Sequence, residues 1–137
     1  EIEKEIFETK ANLIFTHHHN DLNLDHRVAY EATITAARPI PDSQVTSIIS
    51  FEIPAATDWR KPYKFNPNLY IEISSQLTAK INALKAYEYE FRKPPHPRSK
   101  EMTEAVAKRW GSLSGFKAAE AFEIIMSRQN DLEKISL

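Results

Sequence analysis

Ile2, Ile6 and Phe7 recur at helical spacing in "EIEKEIFETK", which predicts a short amphipathic helix whose charged residues form a solvated face. The apolar run "ANLIFT" follows and predicts a strand over 12–16, buried on both faces as in a parallel sheet. A polar loop occupies 17–25. "DHRVAYEATITAARP" then reads as a helix with Asp25 as N-cap, a small-residue face of Val28, Ala29, Ala32 and Ala36, and a stop at Pro39. "QVTSIISFEIP" (44–54) alternates and is rich in β-branched residues, so it predicts a strand. An irregular loop over 55–67 leads to a short strand, "NLYIEIS". A helix over 74–91 is capped by Ser74 or Ser75, with Leu77, Ile81, Leu84 and Tyr87 as its apolar stripe. Prolines break the pattern at "RKPPHPRS". The next helix runs from an N-cap at Ser99 to a stop at Gly111, with Met102 leaving the capping box incomplete. "SLSGFKAAEAFEIIMSR" reads as a further helical turn and then a closing strand at "AEAFEIIM" (119–126).

Strands and helices in alternation predict an α/β fold. In open sheets of this class, ligands sit outside the carboxyl ends of strands, where the loop 17–25 lies. No composition shift or repeat divides the chain, so residues 1–137 read as a single domain. Its length is enough for a sizeable core. The formal net charge of −1 gives no electrostatic footprint for nucleic acid or an anionic membrane surface. No apolar run approaches the roughly 18 residues of a membrane span. Zero cysteines exclude disulfides and thiolate metal sites and fit a reducing, cytoplasmic setting. The two glycines, Gly111 and Gly115, form no phosphate-binding loop. The chain begins at Glu1 and soon enters a buried-type strand, which predicts a piece of a longer polypeptide.

The loop changes the picture. "THHHNDLNLDH" (16–26) holds four of the five histidines, and neutral imidazole is the commonest metal ligand. Four readings compete. The loop is merely solvated. Or "DLNLD" (21–25) opens a calcium loop, although His26 stands where glycine is needed and Ala32 where glutamate is needed. Or His17, His19 and His26 form a self-contained zinc site. Or His26, at the first turn of a helix, is one ligand of a site completed from elsewhere.

"THHHNDLNLDHRVAYEATITAARP" resembles the second motif of the PIG-L/LmbE family of zinc-dependent N-deacetylases. "TDWRKPYKFNPNLYIEIS", "KINALKAYEYEFRKPPHPRS" and "KRWGSLSGFKAAEAFEII" resemble that family's later segments in the same order, so the resemblance covers about residues 11–127. It implies a Rossmann-like three-layer fold, represented here by the C-terminal part of the sheet with flanking helices. It implies a zinc ion with His26 as one ligand, the others being a His and an Asp from an N-terminal His-Pro-Asp-Asp motif. The implied substrate is an N-acetylated amino-sugar conjugate. This chain has no His-Pro-Asp-Asp. The resemblance therefore implies a missing N-terminal segment or a companion chain, and no catalysis by this chain alone.

Family members often read His-x-Asp-His where this chain reads Asn23-Leu24-Asp25-His26. Asn23 can donate a hydrogen bond to an oxyanion but cannot be a general acid. That role passes to His17, His18 or His19, with His18 the candidate. The resemblance implies that Asp25 orients a histidine, as metal ligands usually require, a role compatible with its being only an N-cap. For substrate binding, Asp58 and Trp59 lie in the long loop, and His96 and Arg98 in a proline-rigid one. Arg98 is suited to an anionic substrate group or to a structural pair with a glutamate. Trp59 and Trp110 read as core, and Glu120 as a structural partner. A non-catalytic binding module is the rival reading. Without its missing strands, the sheet would expose an edge and an apolar face, favouring association, homo-oligomers included.

Overall fold

A computed structural model describes residues 1–129; residues 130–137, counted in the domain read from the sequence, lie outside the described residues. The elements are α1 (Ile2–Thr9), β1 (Leu13–His17), α2 (Leu24–Ala36), β2 (Ser47–Phe51), β3 (Leu69–Glu72), α3 (Leu77–Lys85), α4 (Lys100–Ser114) and β4 (Ala119–Ser127). Four strands form one mixed sheet in the order β1-β2-β4-β3. β1 and β2 are parallel, joined through α2, and β4 runs antiparallel to both β2 and β3. The fold is α/β, with helices flanking a mixed sheet. Among the described residues, no helix is long and apolar enough to cross a membrane.

Register decides which side chains meet the core. Ile14 and Ile48 are paired neighbours on one face and pack with Ala37 and Val45 beneath α2, with Ile34 and Ile6 completing the cluster. At the other end Trp110 of α4 packs on Phe65, Ala119 and Ala121. β4 carries a bulge: Ile49 pairs with Ile124 and Ile48 with Met126, leaving Ile125 between them. The extra residue lets consecutive side chains, Ile125 and Met126, both reach the α2 cluster.

Several sequence expectations are corrected. β1 is an outer strand of the four rather than one buried on both faces, and Leu13 and Phe15 are 45% and 52% exposed. These two share a face with His17, because alternate strand residues point the same way. Phe15 finds a partner two strands away, where its ring meets Phe122 edge-on at 5.6 Å. α2 begins earlier than Asp25 would place it, with Asn23 at the N-cap and Asp25 in the first turn. Its buried residue is Thr33, with Ile34 and Ala37 beside it, whereas Val28 and Ala32 face outward. Thr33 is selected because β1 presents Thr16 to it, hydroxyl to hydroxyl at 3.4 Å.

α3 starts after Gln76 and ends at Lys85, well short of residue 91. Ile81 is buried, but Tyr87 lies beyond the helix and is 67% exposed. α4 starts at Ser99 as expected, and the Ser99 side chain accepts from the Met102 N–H. It does not stop at Gly111. It runs on to Ser114, and Gly115 ends it in the left-handed conformation at φ 81°. Gly111 is needed for space instead, since a Cβ there would lie 2.7 Å from Ala118 N and Phe116 O. The glycine lets the chain fold straight back from α4 into β4.

Candidate functional site

The histidine loop leaves the C-terminal end of β1 and is tied down by contacts distant in sequence. Leu22 N–H donates to Ala56 O at 3.1 Å, and Asn20 Nδ2 donates to Pro62 O at 2.8 Å. Arg27 closes the loop from α2, donating to the carbonyls of Asp21 and Leu22, both at 2.8 Å. The partner turn at 53–57 is closed by Ile53 N–H donating to Thr57 Oγ1 at 2.8 Å.

Asp21 is the centre of this construction. It is fully buried, and Thr57 Oγ1 donates to its Oδ2 at 3.0 Å while Asn23 N–H donates to its Oδ1 at 2.9 Å. His26 Nδ1 lies 3.1 Å from the same Oδ1. The His26 ring stacks on His17, centroids 4.1 Å apart and planes 20° from parallel. Burial lowers the His17 pKa, and the neighbouring His26 adds to the effect.

His26 and Asn23 border an open cleft of about 580 Å³. Ile53, Pro54 and Phe91 give it apolar walls, and Arg98 lies among its polar residues. Arg98 is held there, its Nε donating to Pro54 O at 3.0 Å and its guanidinium paired with Glu90. The cleft thus unites three residues named from the sequence: Asn23, His26 and Arg98. Asp58 and His96 stand outside its lining. Asp58 accepts from Ala55 N–H at 2.9 Å within its own turn. His96 accepts from Arg98 N–H through Nδ1 at 3.0 Å, with its ring against Trp59, which is half exposed and not the core residue expected from the sequence. Asp25 is exposed in the first turn of α2. Glu120 pairs with Lys80 and Trp110 is buried.

His18 points away from the solvent and is fully buried. Its Nδ1 accepts from Asn20 N–H at 3.1 Å, and its Nε2 faces Glu123 of β4 at 3.2 Å. His18, His19 and Glu123 are the residues whose potential ligand atoms converge within 4.8 Å among the described residues. Their chemistry argues against a metal. With Nδ1 occupied as an acceptor, the neutral ring carries its proton on Nε2, the nitrogen a metal would need. The arrangement is a histidine–carboxylate contact in which Nε2, though 3.2 Å from Glu123, makes no hydrogen bond among the described residues. His17, His19 and His26 do not form such a convergent group.

Burial holds the His18 pKa below its usual value, against the raising effect of Glu123. The folded protein therefore takes up the His18 proton less readily than the unfolded chain. The stability linked to His18 is complete above about pH 6.5 and is lost as pH falls. Melting temperatures measured from pH 7.5 down to 5 should fall, and the slope should be shallower in His18→Gln. An unchanged slope in that variant would remove His18 as the source.

No family model matches the chain, and no curated protein matches it. Among solved structures it is similar to the conserved protein TT1542 from Thermus thermophilus, with a TM-score of 0.70 at 16% identity. The match covers 98% of this chain and 61% of TT1542, so the chain spans less than two thirds of that protein. At this identity the likeness shows the fold.

Proposed function

We propose that the chain is the C-terminal part of a zinc-dependent N-deacetylase with a Rossmann-like fold, acting in the cytoplasm on an N-acetylated amino-sugar conjugate. The observation that carries the reading is His26 at the border of the cleft, with Nδ1 against the buried Asp21 carboxylate and Nε2 making no hydrogen bond among the described residues. This is the form in which a histidine ligates a metal, its second nitrogen held by a carboxylate. His26 fits as one zinc ligand. Among the described residues, no group that includes His26 offers three convergent ligand atoms. The proposal therefore requires the remaining ligands from a His-Pro-Asp-Asp segment outside this chain. The length of TT1542 beyond the matched part supports a fold with room for such a segment.

A zinc ion bound there would polarise an amide carbonyl and acidify a water. This chain's residues supply the rest. His26 holds its place in the ligand set, Asn23 can donate to the oxyanion from the rim, and Ile53, Pro54 and Phe91 give the substrate an apolar wall. Arg98, already fixed by Pro54 and Glu90, offers its remaining N–H groups to a polar substrate substituent.

The test is zinc content after gel filtration. The chain alone should retain well under one zinc per molecule. The chain combined with a His-Pro-Asp-Asp polypeptide should retain about one, and His26→Ala should lose it. A full zinc complement in the His26→Ala complex would end the proposal. The rival, a non-catalytic binding module using the same cleft, is favoured if the combined protein binds no zinc.

A further inference from the structure

We propose that Asp21 is the residue that positions His26, fixing its proton on Nδ1 and leaving Nε2 as the accepting nitrogen on the ring that borders the cleft. The use of that nitrogen for zinc rests on the deacetylase reading; the positioning itself rests on geometry.

The argument begins with burial. An ionised carboxylate inside a protein must be compensated by donors or opposite charge. Asp21 is fully buried, and its ion-pair contact among the described residues is His26, with no lysine or arginine. Thr57 Oγ1 and Asn23 N–H donate to its two oxygens. Thr57 is itself aligned, since its Oγ1 accepts from Ile53 N–H and its remaining hydrogen is free for Asp21. His26 Nδ1 completes the shell at 3.1 Å from Oδ1. Were Nδ1 a bare lone pair, it would repel the carboxylate oxygen at that distance. With a proton on Nδ1 the contact is attractive. The contact is not a hydrogen bond, so electrostatic attraction carries it.

Two further features limit the ring. His17 stacks on one face of His26, which opposes rotation. Arg27 pins the Asp21 and Leu22 carbonyls, so the carboxylate cannot swing with the loop. Asp25, expected from its place in the chain to orient a histidine, is exposed, and His26 makes its ion-pair contact with Asp21 instead.

The experiment is two-bond 1H–15N correlation on histidine-labelled protein at about pH 8, where an ordinary imidazole is neutral. Wild type should show His26 with its proton on Nδ1. Asp21→Ala should reverse the major tautomer. Asp21→Asn, which retains an oxygen for Nδ1, should keep it, as should Asp25→Asn. A merely structural Asp21 would leave the tautomer unchanged in Asp21→Ala. That result, or a wild-type ring protonated on Nε2, overturns the proposal. If Asp21→Ala does not fold, the wild-type spectrum decides. A wild-type Nδ1 proton together with no zinc uptake beside any His-Pro-Asp-Asp segment would sink the deacetylase reading and leave the positioning intact.

Discussion

Trp110→Ala should lower stability by about 3–5 kcal/mol and the melting temperature by roughly 10 °C or more. Trp110 is 5% exposed and fills the space between Phe65, Ala119 and Ala121, with Tyr70 and Val106 against it. Alanine leaves a cavity that small neighbours such as Ala119 and Ala121 cannot close. A polar loss adds to the apolar one. Trp110 Nε1 donates to Glu52 Oε1 at 2.7 Å, and burial already raises the Glu52 pKa. Without the indole, Glu52 keeps the Tyr63 hydroxyl at 3.1 Å as its donor. Trp110→Phe should separate the two losses, retaining most of the packing while removing the N–H. Urea unfolding would measure both variants. Equal midpoints for Trp110→Ala and wild type would show that this cluster does not hold the helix on the sheet.

The second large effect is expected at Gly111→Ala. On helix propensity alone, alanine should stabilise an interior position by about 1 kcal/mol. The structure reverses the sign. The added Cβ would meet Ala118 N and Phe116 O at 2.7 Å and Ala118 Cα at 2.8 Å, all backbone atoms. A side chain could turn aside; this backbone is fixed by Phe116 N–H donating to Gly111 O and Ala118 N–H donating to Ser74 Oγ. Relief requires α4 to move off β4. The net loss should be about 1–3 kcal/mol, read as a lower denaturant midpoint at unchanged slope. A more stable Gly111→Ala protein would mean that the close approach of α4 to β4 is not present in solution.

Much of the fold is legible in the sequence because its signals are local. The alternation at 47–51, the serine at position 99 and the apolar stretch at 119–126 all mark elements that form. The features that differ depend on distant partners. Gly111 is the exception: its partners Phe116 and Ala118 lie only a few residues on, but a glycine that ends a helix and one that makes room for the returning chain look the same in sequence. β1 looks doubly buried because a short apolar run does not reveal whether both faces of the sheet will be covered at that strand; the face carrying Leu13 and Phe15 is not. The helix expected to reach residue 91 ends at Lys85, and the following residues carry Glu90 and Phe91 to the cleft.

The site divides in the same way. His26 at the start of a helix, beside a polar loop, is visible as a candidate. The partner of Asp21 is not, since Thr57 lies 36 residues away on another turn. Asp25 attracts the orienting role by being adjacent in sequence, but adjacency in the first helical turn does not bring two side chains together. Three consecutive histidines look equivalent. The end of β1 separates them: His17, its last residue, goes to the His26 stack, and His18, just beyond it, goes to Glu123. Glu123 gives no local hint, because only antiparallel pairing of β4 with β2 carries it there.

The bulge in β4 bears on how the length of this chain can change in evolution. Ile125 has no opposite number on β2, so its deletion would let Ile124 and Met126 follow one another as a regular ladder against Ile49 and Ile48. Every other side chain of the strand would stay on its present side. Loss of Ala121 or Phe122 would instead turn the residues on one side of the gap from the core face to the opposite face. A lineage of such proteins can shed a residue at position 125 for the cost of one apolar contact, while the strand around it must keep its count.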